Sequence, residues 1–494
     1  MPRNSRIDAL LTAIFDVGGR VDIFRNKSIL TLMVGLGLPL FSYADCPADY
    51  PEQGVMGPHV EHADIANGAA SLRKIRELGE HLFTAKFNIC DGLGRPATTG
   101  GGEKREPTQP AFIRTSAPET NSCAGCHSQP FVGGAGEFVV NAFILAQRLD
   151  PVTESVSNEF SNERNTLGMH GAGAIEMVAR EMTYELRAQA EGLADGEHVI
   201  SSKGVDFEIT VADGEVIDSK GIRPDLMVRP FAQSGNIASL RHFTIDAMNH
   251  HHGMQAEERF DLFAGKGFDS DHDLDGVHRE LSIGDITALT VWQASLPVPI
   301  QVMPENRRLQ HRIRDGKREF ENVGCGSCHK PSLKLNSPLF SEPSPLNLEH
   351  TFRDVTQSIV WNMTTEGPRP RLRAEANGDI PVQAYTDLKL HNLCDAPERE
   401  DAIRFYCNEV LDQDRRSQDG RPGAELFLTR KLWDVGSSAP YGHRGDITTI
   451  TEAILYHGGE ARASRDNFDQ LDSDKKAKIV EFLKSLQVVE RDTL

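Results

Sequence analysis

The 494-residue sequence has no surplus of positive charge: 53 Lys and Arg stand against 72 Asp and Glu, for a net charge of -19. That balance argues against nucleic acid or an anionic membrane as a partner and suits a basic protein partner, or solubility alone. Long apolar runs are nearly absent as well. The one that stands out, Ile29 to Phe41, is shorter than the roughly 20 residues a membrane-spanning helix needs, so stable membrane insertion is not expected. Nor is the chain short of apolar residues as disordered chains are: 39% hydrophobic and 25% charged is an ordinary globular composition. The length allows two or more domains, each with its own core.

The apolar run follows Arg25 and Lys27 and ends at Ser42-Tyr43-Ala44. This is the pattern of a secretory signal peptide, residues 1–44, cleaved after Ala44. The mature protein is therefore expected in the periplasm or outside the cell. Four of the eight cysteines lie outside the motifs described next: Cys46, Cys90, Cys394 and Cys407. In an oxidising compartment an even remainder suggests two disulfides. Cys46 with Cys90 and Cys394 with Cys407 is the economical pairing; other pairings and free thiols remain open.

The sequence contains Cys-x-x-Cys-His twice, as Cys123, Cys126, His127 and as Cys325, Cys328, His329. Two thiols at this spacing can add to the two vinyl groups of a haem, and the histidine that follows meets the iron. A zinc site would want a second Cys or His pair, and a redox dithiol does not need the histidine. Two covalently bound haem c groups are the expected cofactors.

A repeat surrounds the motifs. Gly79 and Phe83 precede the first at the spacing at which Gly316 and Phe320 precede the second. The amphipathic stretch 471–486, with Ser473 as the expected N-cap, shares its skeleton with 281–296: Leu281, Leu289, Trp292 and Leu296 match Leu471, Ile479, Phe482 and Leu486. A helix with Gly and Phe, a haem motif and a closing helix outline a small cytochrome c domain. The expected fold is mainly α. Two cytochrome c-like haem domains cover 45–299 and 300–494, and the first carries a small β insertion at about 196–230, a hairpin turning at Ala212-Asp213-Gly214. Further along each half, an aromatic and a Gly/Ser-rich loop lead into a short helix that ends in His-Gly, at His252 and at His457.

The two motifs, "SLRHFTIDAMNHHHGMQAEERF", "DVGSSAPYGHRGDITTITEAILYHGGEA" and the closing helix resemble the di-haem cytochrome c peroxidase superfamily, in its di-haem oxidoreductase branch. The resemblance covers most of the chain from about residue 70. It implies His127 and His329 as proximal ligands. It also implies a distal ligand of the second haem at His457, fourteen residues beyond His443, which follows the turn Ala439-Pro440-Tyr441. The best-known peroxidases of that superfamily have methionine at that position and some relatives tyrosine, so histidine implies a lower-potential haem than a His/Met one.

Around the first haem, His251 or His252 is expected as a removable ligand or proton carrier, against a surface histidine cluster. Glu257 is a candidate to move a proton between peroxide oxygens, against a solvated helix charge. Glu176 is expected to pair with Arg180 one turn along its helix. Asp271, Asp273 and Asp275 alternate before Gly276 as in a calcium loop, against a simple acidic turn, and position twelve is Ser282 rather than Glu. The resemblance implies a peroxidase that takes electrons at the second haem from a small c-type cytochrome or cupredoxin and reduces hydrogen peroxide or another small substrate at the first. A non-catalytic di-haem electron carrier and an oxidase acting on a protein or organic substrate are the alternatives.

Overall fold

The computed structural model describes residues 51–94, 118–137, 139–141, 163–259, 276–347, 351–407 and 425–491. The signal-peptide segment and the aspartates of the expected calcium loop, Asp271, Asp273 and Asp275, lie outside them.

Among the described residues, eight α-helices of six or more residues carry the architecture. α1 (Leu72–Thr84) starts where the Ser71 side chain accepts from the Lys74 amide, and α2 (Ala172–Ala190) is buried along most of its length. α3 (Leu240–Ala247) runs on as a π-helical turn, Met248–His252. α4 (Ile283–Ala294) opens on a capping box in which Ser282 and Asp285 satisfy each other's backbone amides. α5 (Arg307–Asn322) begins at Asn306. α6 (Ile450–Leu455), α7 (Arg462–Asp469) and α8 (Ser473–Lys484) follow near the C-terminus. The cap of α8 is Asp472, whose carboxylate accepts from the Lys475 amide, and not the expected Ser473.

The helix pairing follows the sequence repeat. α1 crosses α4 so closely that a Cβ on Gly79 would run into the Ala288 carbonyl, and α5 crosses α8 so that one on Gly316 would run into the Lys478 carbonyl. Ala288 and Lys478 hold the same place in the repeated skeleton. Glycine is required at both crossings because only a hydrogen lets the backbones approach this far. One turn on, Phe83 packs on Trp292 with ring centroids 4.3 Å apart, and Phe320 packs on Phe482 at 5.5 Å.

The expectation of a mainly α fold is not met. The structure is 36% helical and 15% strand, and the strands among the described residues are spread over six small sheets. The insertion is a three-stranded antiparallel sheet of Gly196–Ser202, Val205–Ala212 and Glu215–Lys220, not a single hairpin. Its two-residue turns, Lys203-Gly204 and Asp213-Gly214, have positive φ at every position, the geometry that matches strand twist. Val205, Phe207, Ile209 and Val211 alternate inward from the middle strand. Five two-stranded sheets, among them Leu339–Glu342 with Ile359–Asn362, form in the connections between motifs and helices. Short pairs of two to four residues leave no periodic run long enough to read in the sequence.

The described residues fall within one compact unit. Its larger hydrophobic core draws on both halves of the chain, including Phe83, Trp292, Phe340, Trp361 and Trp433; a smaller one gathers Phe320, Tyr385, Phe468 and Phe482 under the second motif. Among the described residues no helix is long and apolar enough to cross a membrane. Cys394 and Cys407 form a disulfide, as expected. Cys90 is also disulfide-bonded; its expected partner, Cys46, lies outside the described residues.

Candidate functional site

The second motif opens on a cavity. Cys325, Cys328 and His329 line it together with His443 and His457, so the structure brings together all five residues singled out in this half. Nδ1 of His329 donates to the Tyr385 carbonyl at 3.1 Å, and Nδ1 of His457 donates to the Ala453 carbonyl at 2.8 Å. A carbonyl can only accept, so each ring carries its proton on Nδ1 and keeps a lone pair on Nε2. Burial pushes the His329 imidazole down to about 4, and nearby His457 adds to the shift. Burial likewise holds His457 below its ordinary value. Both rings are neutral at physiological pH, the form in which imidazole ligates iron.

Backbone approach to His457 is tight. A Cβ on Gly458 would lie 2.5 Å from the Ile403 carbonyl, and Gly459 has positive φ against the backbone of Asn392 and Cys394. The disulfide loop 394–407 is thus packed against the segment presenting His457. From that loop Tyr406, which the sequence did not single out, reaches the cavity and donates its hydroxyl to the same Ala453 carbonyl, at 3.1 Å. The ring of His443 lies 5.4 Å from Phe427 and 5.9 Å from Tyr406.

At the first motif, His127 donates Nδ1–H to the Gly134 carbonyl at 3.2 Å. His252 donates Nδ1–H to Thr120 at 2.8 Å, and its Nε2 lies 3.5 Å from Cys123 Sγ. Burial pushes both imidazoles down to about 4. His251 turns to a carboxylate instead, with Nδ1 2.5 Å from Glu119. Both histidines come from the π-helical turn after α3, a distortion frequent at functional sites. Gly253, at φ 75°, ends the turn, and the carbonyls of His252 and His251 are caught by the amides of Gly94 and Glu119.

The structure also refines the repeat. Phe231 bridges Ile237 ahead of the α3 cap at Ser239, just as Tyr441 bridges Ile447 ahead of the α6 cap at Thr449. In that register His457 corresponds to Ala247, and His252 lies five residues further on. The π-helical extension, not the repeat position, brings His252 to the motif.

Glu257 is placed elsewhere. Its carboxylate meets Arg279 and the Ile283 amide and borders a separate pocket with Glu61 and His62. Glu176 pairs with Arg180 at 2.5 Å as expected, and also accepts from the Leu240 amide.

The donor set fits haem better than its rivals. Burial pushes the Cys123 and Cys325 thiols up to about 12, opposite to what a redox dithiol needs. Among the described residues the one group of metal-type donors is Cys328, Asp387 and His391. His391 donates from both ring nitrogens, to Asp387 at 2.9 Å and Glu460 at 2.7 Å. Burial alone would push it down, but hydrogen bonds to Asp387, Cys328 and Glu460 hold it up at about 11. An imidazolium has no lone pair for a metal.

Paired cysteines, neutral histidines with directed Nε2 atoms and an apolar-walled cavity are the features a haem-binding redox site needs. Residues 363–486 match the family described as "Di-haem oxidoreductase, putative peroxidase"; this stretch holds His443 and His457 and begins after the second motif. The match bears out the resemblance over that stretch, about a quarter of the chain. No curated protein matches the chain. Among solved structures it is similar to hydrazine synthase of Kuenenia stuttgartiensis, at 13% identity over 91% of this chain and 100% of that one, with a TM-score of 0.35. It is also similar to a MauG-like protein associated with microbial copper homeostasis, at 15% identity over 68% of this chain and 91% of that one, with a TM-score of 0.22. Scores this low carry no argument about mechanism.

Proposed function

We propose that the chain is an exported c-type di-haem oxidoreductase that reduces hydrogen peroxide, with electrons passing from the second haem to the first. What chiefly supports the reading is the cavity that sets His457, a residue inside the stretch matched by the family, with the second Cys-x-x-Cys-His. Bound haem supplies the redox chemistry. Cys123 and Cys126, and Cys325 and Cys328, would hold the two groups, with His127 and His329 as proximal ligands. His457 would fill the sixth position of the second haem. At the first site, His251 and Glu119 can share and pass a proton at Nδ1. A small c-type cytochrome or cupredoxin as electron donor, a periplasmic or extracellular location and calcium at Asp271, Asp273 and Asp275 complete the proposal.

One observation favours the second reading, a di-haem electron carrier: neutral His252 stands beside the first motif as a ready sixth ligand. The test is the spectrum of the reduced protein with and without carbon monoxide, followed by peroxide consumption with a reduced cytochrome donor. Carbon monoxide binding at one haem and peroxide turnover support the peroxidase. Two haems that stay low-spin and refuse carbon monoxide establish the carrier instead.

A further inference from the structure

Four cationic side chains line the second cavity: Arg430, Lys431, Arg465 and His391. Three are committed to partners. Lys431 donates to the Gly168 carbonyl at 2.9 Å and to Asp434 at 3.0 Å. Arg465 donates to the Leu455 carbonyl at 3.3 Å and to Asp466 at 2.8 Å. His391 is held between Asp387 and Glu460. The Arg430 side chain alone of the four has no hydrogen bond or ion pair among the described residues, and the nearby Asp434 carboxylate is taken by Lys431.

The base of that side chain is fixed. Thr386 donates its hydroxyl to the Thr429 carbonyl at 2.7 Å, and the Thr429 amide donates to Lys389 at 3.0 Å. The strand Leu426–Leu428 just before it is paired with Leu390–Asn392. The carbonyl of Arg430 also faces the ring of His329. Residue 430 thus meets His329 through its backbone and also borders the cavity. Arg430 is only partly buried, and the planar fork of a guanidinium without a protein partner matches a carboxylate.

We propose that Arg430 is the receptor for a carboxylate inside the second cavity, and that this carboxylate is a propionate of the haem held there. The inference rests on the di-haem reading. It makes Arg430 a positioning residue: its charge offsets the propionate and favours the reduced iron, and its fork fixes how the macrocycle lies against His329 and His457.

The test uses the full-length haem-loaded protein and its Arg430→Gln and Arg430→Lys variants. Mass measurement first counts the haems; a wild-type protein with a single haem refutes the di-haem reading itself. With two haems present, resonance Raman reads the propionate bending modes and a two-wave redox titration reads the second haem's midpoint. Arg430→Gln should shift a bending mode and lower the midpoint. Arg430→Lys should restore most of the midpoint while the bending mode stays shifted, because the charge is kept and the fork is lost. Unchanged modes and midpoint in Arg430→Gln overturn the proposal. If that variant loses haem, an unshifted bending mode in Arg430→Lys overturns it. Added acetate that displaces the wild-type midpoint but not that of Arg430→Gln, with propionate modes alike in both, also overturns it and assigns Arg430 to a free carboxylate.

Discussion

Arg241 and Glu258, both without solvent exposure, meet in a two-pronged contact at 2.8 to 3.1 Å. Between them in sequence runs the whole segment that carries His251 and His252. Arg241 sits in the first turn of α3 and Glu258 just past the π-helical turn, so the pair ties both ends of that segment together. Arg241 also reaches Glu342 and Thr287, each at 2.9 Å, which anchors the segment to α4 and to the strand Leu339–Glu342.

Breaking this pair should cost far more than breaking a surface pair. Arg241→Gln leaves buried carboxylates without their cation, a loss of about 3–5 kcal/mol. It should also loosen the His252 segment and change the first haem's ligand-field spectrum. Arg73 and Glu77 form an exposed pair, and Glu77→Gln should change stability by less than about 1 kcal/mol. Denaturant unfolding of both variants, with electron paramagnetic resonance of the first haem, checks this.

Glu342 gives the stability a pH dependence of definite sign. Burial pushes its carboxyl up to about 7; Arg241 opposes the shift and nearby Glu176 adds to it. The folded protein therefore binds this proton more tightly than the unfolded chain does. The group's contribution is fully present below about pH 4.5 and is lost as pH rises through about 7. Glu342→Gln mimics the protonated acid. It should match wild type at low pH and exceed it at pH 8 by something on the order of 3 kcal/mol. Denaturant midpoints at several pH values read the difference.

Gly79→Ala and Gly316→Ala should both destabilise, because each places a methyl group against the backbone of the crossing helix. Overpacking of this kind costs about 1–3 kcal/mol. Gly378→Ala is an informative contrast: its Cβ would meet nothing, so its cost comes from positive φ alone. Thermal unfolding of the three variants should rank the two crossing positions below the control.

His457→Gly should leave the second haem high-spin and open to carbon monoxide. His457→Met should introduce a sulfur-to-iron charge-transfer band and raise that haem's potential by something on the order of 100 mV, within the range axial ligands control. Optical spectra with a redox titration measure both. If His457 is only a helix-terminal histidine bonded to Ala453, neither substitution will move the spectrum.

The two Cys-x-x-Cys-His motifs, the paired helix crossings and the nearness of His457 to the second motif were legible in the sequence, because each rests on spacing along one element or on a repeated skeleton. Gly79 with Phe83 and Gly316 with Phe320 were legible for that reason, and so was the nearby cysteine pair Cys394 and Cys407. The rest depends on packing between distant segments. Tyr406, Arg430 and Glu119 reach their sites from distant segments with no periodic signal, and their meaning lies in which carbonyls and carboxylates surround them. Glu257 shows the converse: closeness in sequence to His252 suggested a shared site, yet Arg279 draws its carboxylate elsewhere. The small sheets leave no pattern in the sequence because a pair of three-residue strands is fixed by its partner, and the partner is chosen by packing. Position 252 came from a π-helical turn whose extra residues are stabilised by backbone amides at Gly94 and Glu119, contacts that no local pattern encodes.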